Sequence, residues 1–389
     1  MKVDEIMIKL LAKEVLEKEI DENTIKDTLM SNPALVEALY ELSKMHDLAH
    51  IICLALKNIG VWGTDDIYKK FQRQQTLAVY RYEQQNYQIK VIKELFSGHK
   101  INWMLLKGSC MKHLYPQEWM RTSSDIDILV KKEDIDTAKE ILCNNAGFTE
   151  RVGNSTMKAL LGETGVCIEL HSVDESVPDF EVPLDVWDKA IPNGDDFSYR
   201  MSDELFYYCH VAHMSKNIRS GSCGVRGFLD LYLLTYKNKL DYDEMLKLCA
   251  DNGLDKSAKA FLKLSECWFD DASEDKLTDV IKRIVLASGV SGNGYSKAKI
   301  LMLHKGGKKA HIFSRIFLPV NVMKKQYPIL EKHVWLMPFY QIKRFISIVV
   351  NGRFKNAVNE IKLNTAIRNE QLDDFDYMFK ELQLKPRKL

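Results

Sequence analysis

Two pairs of residues in this chain have the types and spacing to hold a metal ion. Asp125 and Asp127 sit two apart in Asp-Ile-Asp-Ile-Leu-Val (residues 125–130), and Glu169 and His171 sit two apart in Val-Cys-Ile-Glu-Leu-His (residues 166–171). Both stretches read as strands. Strand side chains alternate between faces, so each pair shares one face while Ile126, Ile128, Ile168 and Leu170 take the other. Two carboxylates so placed suit hard divalent cations, and if the Glu169 strand lies beside the Asp125 strand, Glu169 is the third. Asp-x-Asp by itself is a weak signal, because the same spacing recurs at Asp134/Asp136, Asp241/Asp243 and Asp374/Asp376. Each of those precedes a helical pattern and reads as a helix N-terminus, Asp241 and Glu244 having capping-box spacing.

The elements that must position these side chains follow from the pattern around them. Ile101 to Leu106 is a short apolar strand ending in Lys107-Gly108-Ser109, where Gly108 permits a tight turn. Cys110 to Tyr115 then forms a short helix that stops at Pro116. Lys132 to Asn145 is a helix, Gly147-Phe148 leads back into sheet, and Ser155 to Leu161 and Val166 to His171 make a hairpin around Gly162 to Gly165. Residues 1–98 are almost wholly helical, with helices at Asp21–Leu29, Asn32–Met45 and Asp65–Phe96. Asn32-Pro33 fits an N-cap followed by proline at the first helical position, and Gly60 to Thr64 makes a turn. His46 and His50 have helical spacing for one face, but lack a third ligand and read as ordinary histidines. From Ser202 the pattern is helical again, with a Gly/Ser-rich loop at Ser220 to Gly224 and two or three helices over residues 240–285. Gly289 to Gly294 lacks the preceding strand and the lysine of a phosphate-binding loop and reads as a connector.

Lys107-Gly108-Ser109 at the turn, Arg121 before the acids, Ser124 to Val130, and the later Glu169-Leu170-His171 together resemble the DNA polymerase β-like nucleotidyltransferase superfamily. The closer likeness is to the bacterial group described as uncharacterised nucleotidyltransferases, over roughly residues 75–350. The resemblance implies an α+β fold: a polymerase β-like core of a small mixed sheet with helices, flanked by N-terminal and C-terminal helical regions. The expected organisation is a helical region at residues 1–98, the core at 99–200, a helical region closing the nucleotide cleft at 201–285, and a C-terminal helical region at 286–389.

It also implies an enzyme that moves a nucleoside monophosphate from a nucleoside triphosphate to a hydroxyl acceptor and releases pyrophosphate. Two Mg2+ ions would serve it, with Mn2+ able to substitute. Asp125, Asp127 and Glu169 would hold the metal, with His171 either activating the acceptor hydroxyl or, as the simpler role, orienting Glu169. Backbone N–H groups around Gly108 and Ser109 would cradle a phosphate. Lys107 and Arg121 would be phosphate counter-charges, or else an exposed surface pair; Ser124 belongs to the nucleotide-binding motif. His213, Arg226 and Asp230 would face the cleft; helical spacing alone equally supports a buried Arg226–Asp230 ion pair with structural histidines. The alternative function is a non-catalytic or regulatory module on the same fold, such as a toxin–antitoxin component.

Composition sets the remaining bounds. The chain has 389 residues, a net charge of +1, and hydrophobic and charged contents of 46% and 28%, as in ordinary globular proteins. A near-neutral chain has no overall field for polyanions, and no large basic stripe with interleaved aromatics reads nucleic-acid bases, so nucleic acid is a poor candidate partner. Eight cysteines without a Cys-x-x-Cys pair point away from zinc and from a disulfide scaffold, towards reduced thiols in a cytoplasmic protein. The charge-broken N-terminus reads as an amphipathic helix, not a signal peptide. Residues 304–311 form a basic connector and residues 356–389 a charged helical tail. Ile312 to Val350 mixes large apolar and basic residues, either as a helix completing the core or as a greasy basic face for a lipid-linked acceptor or a bilayer surface.

Overall fold

Alternating Ile, Leu and Val side chains build the centre of the molecule. The computed structural model describes residues 1–174, 181–194, 197–238, 240–304, 307–309, 313, 316–350, 367 and 369–385. Its strands are β1 (Trp103–Leu105), β2 (Asp125–Val130), β3 (Thr149–Gly153), β4 (Met157–Leu161), β5 (Cys167–His171), β6 (Ile191–Pro192) and β7 (Ser198–Arg200). They form one mixed sheet in the order β3-β4-β5-β2-β1-β7-β6. The β2–β5 and β1–β7 pairings are parallel and the others antiparallel.

Helices surround this sheet. Before it come α1 (Val3–Leu16), α2 (Glu22–Ser31), α3 (Pro33–Met45), α4 (Ala49–Asn58) and the 33-residue α5 (Asp66–Gly98). Between β1 and β2 is the single turn α6 (Gly108–Met111), and between β2 and β3 is α7 (Ile135–Ala146). Then follow α8 (Asp203–Arg219), α9 (Val225–Lys237), α10 (Tyr242–Asp251), α11 (Asp255–Phe269), α12 (Lys276–Ser288) and α13 (Gly294–His304). The architecture is thus α+β, a seven-stranded mixed sheet flanked by helical regions.

Two apolar cores divide the sheet by face. Ile126, Ile128 and Val130 of β2, with Ile168 and Leu170 of β5, pack under Ile92 and Phe96 of α5 and Ile135, Ala138 and Leu142 of α7. Leu129 of β2 and Met104 of β1 point the other way, into the larger core made mostly by the helices. Residues 125 and 127 share the face of Leu129, so the period-2 pattern that buries the isoleucines also turns both aspartates towards the helical side. The long α5 clamps the approach to β2: Gln85 Nε2 donates to the Ser123 carbonyl at 3.1 Å, and Lys112 Nζ donates to Gln85 Oε1 at 3.0 Å.

Several local expectations need correction. His46 and His50 do not share a helix, because α3 ends at Met45 with His46 as its C-cap, and Asp47 takes a left-handed backbone with φ 55°. Val225 N–H donates to His46 Nδ1 at 3.2 Å and His50 Nε2 donates to the Met120 carbonyl at 2.7 Å; both rings are buried. Asn32 precedes Pro33 as expected, but its side chain makes no cap bond. Asp241 caps α10 through the N–H groups of residues 243 and 244, while its own N–H goes to Glu204 instead of Glu244, so the box is not reciprocal. Asp374 and Asp376 lie inside the helix Asn369–Glu381, where Asp374 pairs with Arg283 at 2.9 Å. Much of the basic stretch 304–311, and residues 356–366, 368 and 386–389 of the charged tail, lie outside the described residues.

Candidate active site

The site begins at a strained turn. Between β1 and α6, Lys107 adopts φ 50° and ψ −130°, a conformation L-residues rarely take. Gly108 follows because Arg121 packs across it: a Cβ at residue 108 would lie 3.1 Å from the Arg121 guanidinium. The turn brings Lys107 Nζ to 2.6 Å from Asp127 Oδ1 on β2. Parallel pairing of β2 with β5 sets Asp127 level with Glu169, and Asp125 level with Cys167. His171, one step further along the same face of β5, places Nε2 at 2.9 Å from Asp127 Oδ1 and 3.4 Å from Glu169 Oε2. Both donors to Asp127 meet Oδ1, so Oδ2 has no protein donor among the described residues. Asp127 is 3% exposed, whereas the Glu169 side chain is 29% exposed, which grades the cluster from a buried floor to an open rim.

Charge is balanced unevenly. Burial works to raise the pKa of Asp127, but the His171 hydrogen bond and the Lys107 ammonium outweigh it and hold the carboxyl below its usual range. Asp125 is held above that range by burial and by repulsion from Asp127 and Glu169, with a bond from Ser124 Oγ at 3.0 Å only partly offsetting this. Burial opposes the charged form of His171, yet its bonds to Asp127 and Glu169 win and raise its pKa. Lys107 is raised in the same way, burial being overcome by Asp127 and Glu181.

One oxygen from each of Asp127 and Glu169, with a nitrogen of His171, lie within 4.8 Å of one another, close enough to share one metal ion. Asp125 does not join that tight group, although it feels the charge of both acids. Two carboxylates with a third beside them fit a hard cation, and the repulsion at Asp125 is what such an ion would relieve.

Lys107 and His171 also line a cleft, with Leu106 and Gly108 beside them. Its opposite wall is apolar at Val182, Met201 and Phe206, and polar at Glu181, His213 and Lys216. Glu181 accepts from His213 Nδ1 at 2.5 Å and from Lys216, and although burial opposes it these partners hold its carboxyl far below the usual range.

Residues 32–270, well over half of the chain and spanning the whole sheet, match the family model described as Uncharacterised nucleotidyltransferase. The chain belongs to the uncharacterised nucleotidyltransferase family. Neither the curated proteins nor the solved structures gave a match to it. Membership gives this nucleotidyltransferase-family chain a general nucleotidyl-transfer role and a nucleotide as substrate.

In this family member the residues singled out from sequence divide into two groups. Lys107, Gly108, Asp125, Asp127, Glu169 and His171 gather over one face of β2 and β5, and His213 lines the same cleft. Arg226 and Asp230 do not line the cleft, nor do they pair with each other. Asp230, 1% exposed, accepts from Arg121 Nε at 2.7 Å and from Tyr115 OH at 2.7 Å. Arg226 instead pairs with Asp47 and donates to the Thr122 carbonyl at 3.2 Å. Arg121 therefore belongs to both groups: it touches the cleft but is 8% exposed and committed to Asp230, not the exposed surface residue that was one of its readings. Ser109 lines a neighbouring hollow with Cys110, His113 and Tyr199, where its buried hydroxyl has no partner among the described residues. Ser124 stays at the exposed rim, on Asp125.

Sequence reading missed Glu181. It stands in irregular chain after β5, where no periodicity marks it; the available signal was an acid between Phe180 and Val182 in an apolar context.

Proposed function

We propose that this protein transfers a nucleoside monophosphate from a nucleoside triphosphate to a hydroxyl acceptor, releasing pyrophosphate. The observation that carries the reading is the parallel β2–β5 register, which sets Asp127 beside Glu169 with His171 bonded between them at the edge of an open cleft. Asp127 and Glu169 would hold the metal, Asp125 would supply further carboxylate charge, and His171 orients Asp127, whose Oδ1 it bonds, more than Glu169. Mg2+ or Mn2+ bound there supplies charge neutralisation of the triphosphate and lowers the pKa of the acceptor hydroxyl. Lys107, 2.6 Å from Asp127, and Lys216, which pairs with Glu181 in the cleft, would be counter-charges for the phosphates. The apolar wall at Val182, Met201 and Phe206 shelters the nucleoside. On this reading the domain limits are those expected from sequence, with α8 supplying the far side of the cleft.

A thermal-shift screen of the four triphosphates with Mg2+ or Mn2+ tests this directly, since a ligand that binds only the folded state stabilises it. Stabilisation by at least one triphosphate with metal, absent in Asp127→Asn, is the expected result. No shift with any of them removes the proposal, and a shift without pyrophosphate release from any acceptor favours the non-catalytic module.

A further inference from the structure

The helix Met337–Val350 is amphipathic the wrong way round for a helix completing a core. Its apolar residues Phe339, Ile342, Ile346 and Val350, three or four apart, are 65%, 57%, 59% and 76% exposed. Its polar residues Gln341 and Arg344 are turned inward, 7% and 8% exposed, donating to the carbonyls of Leu318 at 2.7 Å and Ile316 at 2.9 Å. Just before the helix, Trp335 is 71% exposed, and Phe317 adds another exposed ring. Soluble proteins rarely show so continuous an apolar patch without something to cover it.

Charge identifies the cover. Over residues 316–350 the basic side chains are Lys324, Lys325, Lys332, Lys343 and Arg344 against the single acid Glu331. Lys325, Lys332 and Lys343 are exposed, Lys343 on the helix itself next to Ile342. A second copy of this chain is disfavoured, because a two-fold contact would press the basic patch against itself. No helix among the described residues is long and apolar enough to cross a membrane. We propose that this face lies flat on an anionic lipid bilayer, with Trp335 and the phenylalanines at the headgroup boundary and the lysines on the headgroups.

Flotation of the full chain with vesicles of phosphatidylcholine alone, or with about a third phosphatidylglycerol, tests this. Binding to the anionic vesicles at least about tenfold above the neutral ones, weakened by salt, is expected. A blue shift of tryptophan emission should accompany it and be lost in Trp335→Phe. The double variant Ile342→Glu/Ile346→Glu, at exposed positions, should keep its melting temperature and lose binding at least tenfold. Asp127→Asn should bind as the parent does, so this inference stands or falls separately from the transferase reading. No binding to anionic vesicles at low salt, or binding that survives the double glutamate variant, overturns it.

Discussion

Asp125 and Asp127 share a strand face yet are asked to do different things. Asp127 is paired twice and ionised at a low pH, so its stabilisation is present above the usual carboxylate range and lost as pH falls through its lowered value. Asp125 is held above that range, so the folded protein binds its proton more tightly than the unfolded chain does. Stability from this group therefore falls as pH rises through that window, and its ionised form at neutral pH carries a cost. Asp125→Asn is expected to raise the melting temperature of the metal-free protein by roughly 2 °C and, in the same variant, to lower pyrophosphate release at least about 100-fold. A destabilised Asp125→Asn protein would show that the repulsion had been misjudged. Asp127→Asn should differ in sign, losing stability along with turnover, because it removes the partner of both Lys107 and His171; calorimetry of the two variants side by side checks this.

At the scale of elements, the site depends on how the loop before β2 is tied down. Arg121 and Tyr115 converge on Asp230 of α9, and Arg226 of α9 reaches back to Asp47 between α3 and α4. Removing one member of a buried ion pair leaves a charge without compensation, so Asp230→Asn should cost about 3 kcal/mol in chemical denaturation. Replacing both partners by apolar residues, Arg121→Met with Asp230→Leu, should recover much of that loss. A double variant no more stable than the single one would contradict the argument. These partners were not legible in the sequence. Arg226 and Asp230 have the spacing of a helical pair, but charges 109 and 179 residues away reach them first. Strand alternation, by contrast, was legible, since Ile126, Ile128, Ile168 and Leu170 each have to be buried and fix the faces of their neighbours. Strands of two and three residues, as at Ile191–Pro192 and Ser198–Arg200, are too short for any period to show.

For the molecule as a whole, three buried histidines, His46, His50 and His210, are held neutral chiefly by burial. His46 is pushed from 6.5 to about 4. The unfolded chain takes up a proton below the ordinary histidine value that the folded protein refuses, so stability falls as pH drops across that interval. His46→Gln, which can still accept the Val225 N–H bond, should flatten the acid side of the stability profile between pH 6.5 and 4; urea titrations at several pH values check this, and an unchanged slope would count against it. The parallel placement of β5 beside β2 also belongs to this scale. It joins residues over 40 apart in sequence, so local spacing could show only that Glu169 shares a face with His171, and the family likeness supplied the expectation that it meets the aspartates.

Whether those acids bind a metal can be measured without knowing the acceptor. In a Mn2+ titration of the full chain, followed by loss of the free-ion electron paramagnetic resonance signal, the parent protein is expected to bind the ion. Asp127→Asn and Glu169→Gln should each weaken it at least about tenfold, a loss of about 1.4 kcal/mol. Equal Mn2+ binding by the parent and both variants would contradict the account.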